Sequence, residues 1–142
     1  MTNAAPSEAE AGSAIDEQPD DVECDALVVG SGSAGLVAAL VCARAGLKTV
    51  IVEKASVIGG TTALSGAGAW IPANHHAAAA GLHDSADEAF RYLCASAPSG
   101  WRESQAPLWR SFVDHAPAML RFVEQHTPLR FALAPGADLY PS

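Results

Sequence analysis

The stretch that most constrains the fold is Val28 to Glu53, VVGSGSAGLVAALVCARAGLKTVIVE. A short apolar run from Ala26 to Val29 leads into Gly30, Gly32 and Gly35, spaced GxGxxG. A small apolar helix follows, from about Ser33 to Ala45, and a second β-branched run from Lys48 to Val52 closes on Glu53. This order predicts strand, phosphate turn, helix, strand and acid, the Rossmann-like βαβ start of an α/β domain. Each residue type has a physical task. Gly30 permits the tight turn, Gly32 lets backbone amides approach a pyrophosphate, and Gly35 lets the helix lie close to the strands. The pyrophosphate would sit at the helix N-terminus, where unpaired N–H groups and the positive end of the dipole favour an anion. Glu53, at the end of the second strand, would accept hydrogen bonds from ribose hydroxyls.

A lone GxGxxG is weak, because glycine-rich turns are common. Here Ala39 keeps the same helix small where it faces the sheet, and Gly46 stands where the helix must stop. A glycine there can adopt the left-handed conformation that ends a helix. The helix is apolar nearly all round, with Leu36, Ala39, Leu40 and Ala43 on one stripe and Arg44 its only charge. Such a helix is expected to be surrounded by protein, and its flanking strands to be covered on both faces.

Charge separates a tail from the rest. Of the 142 residues, 1–23 carry seven acids and no base, so most of the net charge of −8 belongs there. With almost no large apolar residue, that acidic tail is expected to be disordered. Residues 24–142 are nearly neutral, with no basic surface for nucleic acid. Cys24, Cys42 and Cys94 are odd in number and lack a CxxC pair, which fits reduced thiols in a cytoplasmic protein. No secretory signal is recognisable, and the glycines and serines within the uncharged run Ala26 to Ala43 argue against a transmembrane segment.

Beyond Glu53 and Lys54, a glycine-rich uncharged segment runs from Ala55 to His83 with no clear period. A loop of that length reads as ligand-hugging. Hydroxyls on Thr61, Thr62 and Ser65 and amides near Gly60 and Gly66 could bond a phosphate or the polar edge of a flavin. Ser85 and Glu88 form a capping box that opens a helix running to about Ala97. Two further helices are expected, Pro107 to His115 and Pro117 to Gln125, each with proline in its first turn. A short strand is expected at Leu129 to Leu133. His75 and His76 are adjacent and are expected to point to different sides, so no metal site is assigned. No GxSxG elbow is present. Tyr140 could serve a substrate site, but reads more readily as an ordinary loop residue.

The run from Val28 to Asn74 resembles the start of the FAD-dependent oxidoreductase 2 family, the fumarate reductase and succinate dehydrogenase flavoprotein group. Its nearest branch is that of the 3-ketosteroid Δ1-dehydrogenases, which DSADEAFRYL and EQHTPLRF also resemble. The resemblance implies that Gly30, Gly32, Ser33, Ala34 and Gly35 form the pyrophosphate turn. It places Glu53 and Lys54 on the ribose and adenine side, and Gly60, Thr61, Thr62, Ser65 and Gly66 along the flavin. It implies FAD as cofactor. Covalent flavin in the succinate dehydrogenase branch uses a histidine near the position of Thr61, so the FAD here is expected to be non-covalent. It also implies a small-molecule substrate, a ketosteroid or similar enone, and hydride transfer between a substrate C–H and flavin N5. Members of the family are several times longer, so residues 24–142 are expected to be the N-terminal part of an FAD-binding domain, an incomplete domain followed by a mostly helical segment. No catalytic residue is assigned. The alternative is a truncated, non-catalytic remnant, or a cofactor-binding subunit that needs a second chain.

Overall fold

Residues 21–134 are described by the computed structural model. The first unit is strand, helix, strand: β1 (Ala26–Val29), α1 (Ser33–Arg44) and β2 (Thr49–Val52). The strands pair in parallel from Ala26 with Thr49 to Val29 with Val52. Asp25 fixes the start of this register by accepting the Lys48 N–H at 2.8 Å. Gly46, with φ +84°, ends α1 as expected. The Gly46 amide returns to the Ala43 carbonyl and the Leu47 amide to that of Cys42.

The expectation that α1 is surrounded by protein is not met among the described residues. Ala39 is its one buried residue, and Leu36 and Val41 are exposed. The reason lies in the layers. Val28 faces α1, lying 3.3 Å from where a Gly35 Cβ would stand. Its neighbours Leu27 and Val29 point the other way, and they are 58% and 80% exposed. One helix covers one face of a two-stranded sheet and leaves the second bare. The result is an incomplete α/β domain.

The second unit is helical and holds most of the core. After the single turn α2 (Gly60–Leu64) come α3 (His75–Ala79), α4 (Ala86–Ser96) and α5 (Trp101–His126). Ser85 caps α4 by accepting the Glu88 N–H, and its hydroxyl donates to the Glu88 carboxylate. The α4 and α5 helices pack together, with Ala89 buried on one and Val113, Ala116, Leu120 and Val123 on the other. That spacing is a helical stripe. Arg110 bridges the pair outside the core, bonding Asp87 at 2.8 Å and Asp114, with its guanidinium over the Phe90 ring.

Two expectations are corrected here. The helices predicted at Pro107–His115 and Pro117–Gln125 are one helix of 26 residues, α5, with both prolines inside it. A proline in a helix interior removes a hydrogen bond and costs about 3 kcal/mol. The uninterrupted stripe from Val113 to Val123, packed against α4, offsets that. Leu129 to Leu133 forms no strand. Its polar groups turn back onto the end of α5: the Phe131 N–H donates to Glu124 Oε1 at 3.0 Å and Arg130 donates to the Glu124 carbonyl. Among the described residues no helix is long and apolar enough to cross a membrane, and the three cysteines are free. Tyr140 and residues 1–20 of the acidic tail lie outside the described residues.

Candidate functional site

The site is built on the turn between β1 and α1. Gly30 leaves β1 with φ +94°, a conformation that L side chains rarely adopt. Gly35 sits in the first turn of α1, where a Cβ would fall 2.0 Å from the Gly30 carbonyl oxygen. The helix start can lie this close to the strand only without a side chain at Gly35. Gly32 is the N-cap residue and supplies no side-chain cap. Of the amides at this helix start, Ser33 N–H is taken by Thr62 Oγ1 at 3.1 Å. Those of Gly32, Ala34 and Gly35 donate no hydrogen bond among the described residues. Three unpaired amides at a helix N-terminus form a ready anion site.

Glu53, just past β2, reaches across to the same turn. Its Oε2 accepts the Ser31 N–H at 2.9 Å and the Ser31 hydroxyl at 2.5 Å, and its Oε1 accepts the Ala55 N–H at 2.9 Å. These donors hold its carboxyl down to about 2, the Ala55 amide contributing most and Ser31 next. A carboxylate offers about four lone-pair sites. Three are spent on the protein, which leaves room for about one ribose hydroxyl. The Ser31 hydroxyl also accepts the Gly59 N–H at 2.8 Å. Ser31, 2% exposed, is thus a buried clip joining the glycine turn, the acid and the Gly-Gly bend.

The segment after Glu53 divides. Gly60 lies against Gly32, where a Cβ on Gly60 would meet the Gly32 Cα at 3.4 Å, and Thr62 caps α1. Ser65 does not reach the turn: its hydroxyl donates to the Thr62 carbonyl and accepts the Ala67 N–H. Lys54, Thr61 and Gly66 are exposed, and none makes a side-chain hydrogen bond among the described residues. Gly30, Gly32, Ser33, Ala34, Gly35, Glu53, Gly60 and Thr62 therefore form one cluster. Lys54, Thr61, Ser65 and Gly66 line the open segment beside it.

The residues fit a dinucleotide. The amides could hold the pyrophosphate, the remaining lone pair of Glu53 could take a ribose hydroxyl, and the open space beside Gly32 would admit the backbone of the ligand. Sequence reasoning missed Ser31, which occupies a variable position of the glycine pattern. Its one clue was a small hydroxyl residue between two glycines. Ala67 and Ala73, at φ 59° and 51°, were also missed. Left-handed alanines carry no mark in the sequence.

One expectation outside this cluster is overturned. His75 and His76 do not point to different sides, because both rings meet Glu124 of α5. His75 Nε2 lies 2.9 Å from Glu124 Oε2, and His76 Nε2 lies 2.8 Å from Glu124 Oε1. The alternation argument assumes a continuing regular element. Here the pair opens a five-residue helix, where a single carboxylate from α5 reaches both.

The FAD binding domain family model matches residues 25–140. A 3-oxosteroid 1-dehydrogenase of Mycolicibacterium smegmatis is 47% identical over 120 residues, 84% of this chain and 21% of that protein. A 4-oxocyclohexanecarboxylate 2-dehydrogenase of Sinomonas cyclohexanicum is 45% identical over 107 residues, 75% of this chain and 18% of that protein. Among solved structures, a 3-ketosteroid delta1-dehydrogenase from Sterolibacterium denitrificans superposes with a TM-score of 0.58 at 31% identity, covering 72% of this chain and 17% of that one. The chain thus spans about a fifth of the length of the curated relatives it matches.

Proposed function

Because the chain belongs to the FAD binding domain family, we propose that the β1–α1 turn holds the pyrophosphate of FAD and that Glu53 holds its adenosine ribose, as part of a flavoprotein dehydrogenase acting on cyclic ketones. The observation that carries this reading is the trio of unpaired amides at Gly32, Ala34 and Gly35, beside a carboxylate held ionised at Glu53. The amides face the anion without moving, since the Gly30–Gly35 contact has already set the helix start. Ser31 has no contact with the ligand in this reading. It keeps Glu53 and the bend at Gly59 in place. Thr62 and Gly60 bring the following segment against the turn, where Thr61, Ser65 and Gly66 border the flavin and Lys54 the adenine side.

FAD, when bound, supplies the two-electron acceptor of the dehydrogenation. The substrate class comes from the relatives, which are named for oxosteroids and for a ring ketone carboxylate. A 3-ketosteroid, or a simpler cyclic ketone, desaturated next to its carbonyl fits both. Threonine at position 61 offers no imidazole for covalent attachment, which supports a flavin bound without a bond.

A flavin titration of the purified chain tests this. Uptake of one equivalent of FAD, all of it released on denaturation, is the expected result, and Glu53→Ala should weaken uptake. Affinity unchanged by Glu53→Ala would remove the ribose role. A second reading, a cofactor-binding segment that needs a partner chain, is favoured by the bare face carrying Leu27 and Val29. It predicts an aggregating, colourless chain that turns yellow only on co-expression with the partner.

A further inference from the structure

Glu124 lies on α5 and gathers two imidazoles from α3. The two ring nitrogens address different oxygens of one carboxylate, and the rings lie 4.1 Å apart, centroid to centroid. One nitrogen from each ring and one carboxylate oxygen all fall within 4.8 Å of one another. We propose that His75 Nε2, His76 Nε2 and a Glu124 carboxylate oxygen bind a divalent transition-metal ion of the zinc class, with one position left for water or another donor.

Donor chemistry, support and access all bear on the ion. Two imidazoles and a carboxylate are a recurrent zinc set, and three protein ligands leave a tetrahedral ion one open position. Sulfur does not enter, so the site would accept Zn²⁺, Co²⁺ or Ni²⁺ and would not select for soft Cu(I). The supports are rigid. Asn74 caps α3 by accepting the His76 and Ala77 amides at 2.9 and 3.0 Å, and anchors itself through its own amide to the Ile71 carbonyl. Phe131 N–H holds Glu124 Oε1, and with His76 it keeps the Glu124 carboxyl below its ordinary range.

The exposures suit a site that an ion can enter. Glu124 is 11% exposed at its side chain, and the histidines are 29% and 31% exposed. His75 Nδ1 is buried with no hydrogen-bond partner among the described residues. All of the polar contact that His75 makes is thus directed at Glu124. Metal at Nε2 would replace the contact that each ring now makes with the Glu124 carboxylate by coordination. The ion would tie α3 to α5 in place of the His76–Glu124 hydrogen bond and the close His75–Glu124 contact. None of the residues of the nucleotide cradle takes part, so the proposal does not depend on FAD.

The test titrates the full 142-residue chain, kept reduced, with ZnCl₂ by calorimetry and with CoCl₂ by visible absorption. One equivalent should bind. The Co²⁺ form should show d–d bands without the intense near-ultraviolet band of thiolate ligation. His75→Ala and His76→Ala should each weaken Zn²⁺ binding at least about tenfold, the low end of what loss of even an outer-shell partner costs. Helical circular dichroism should stay unchanged. Glu124→Gln keeps shape and hydrogen bonding while removing the anionic ligand, and should weaken binding likewise. If that variant unfolds, the histidine variants decide. Binding that survives the double variant His75→Ala/His76→Ala, a thiolate band, or no uptake at all would overturn the proposal and leave the cluster a hydrogen-bonded clasp.

Discussion

The strand–helix–strand unit and the helical unit solve burial in opposite ways. The α4 and α5 helices bury an apolar stripe against each other, and Val113 is fully enclosed. The β1–α1–β2 unit buries little beyond Ala39 and Ser31, and it is held by a polar clip while Leu27 and Val29 stay bare. Two amphipathic helices close a core between themselves, each needing only one covered face. A parallel strand pair has two faces and one crossover helix, so it needs further layers. The unit that carries the glycine turn is accordingly the one less able to stand alone.

Breaking the larger core should separate the two units most sharply. Leu120→Ala should cost the helical unit about 2–5 kcal/mol, read as lost amide-exchange protection in α5, while FAD affinity changes little. Equal losses in both would mean that the units fold as one. Next in size, Gly35→Ala drives a Cβ into the Gly30 carbonyl. We expect about 1–3 kcal/mol from overpacking and loss of flavin uptake, with α5 protection intact. FAD binding at wild-type affinity would show that the helix start can shift without harm.

Ser31→Ala is gentler, since the Ser31 backbone N–H still holds Glu53. It strands the Gly59 amide and one Glu53 contact, for about 1 kcal/mol, the low end for a buried donor left unpaired, and should weaken FAD binding without touching the helical unit. Unaltered flavin affinity would reduce Ser31 to filler. The smallest effect is a titration. Glu53 is depressed from 4.5 to about 2, so its contribution to stability is fully present above about pH 4.5. That contribution is lost as the pH falls through about 2. The Ser31 amide shift, followed by NMR, should report that low midpoint. A midpoint near 4.5 would mean that the clip is not formed in solution.

How much was legible differs by residue. Both strands, the helix stop at Gly46 and the Ser85–Glu88 cap were readable, because each depends on neighbours in the chain. The single α5 was not. Pro107 and Pro117 are local stop signals, and only the stripe packed on α4 outweighs them. Within the cradle the glycines and Glu53 were visible from spacing, whereas Ser31 was not. Its importance comes from meeting Glu53 and Gly59, which lie 22 and 28 residues away.

By itself the sequence determined that β1 runs through a glycine turn into α1 and on to an acid, since tight turns and close approach admit few residue types. Tertiary structure alone decided which groups those residues address. Glu53 spends most of its lone pairs on its own chain, Thr62 caps α1, and two neighbouring histidines meet on one carboxylate. Spacing along a chain restricts backbone shape, but the partner of a side chain is chosen by packing between distant segments.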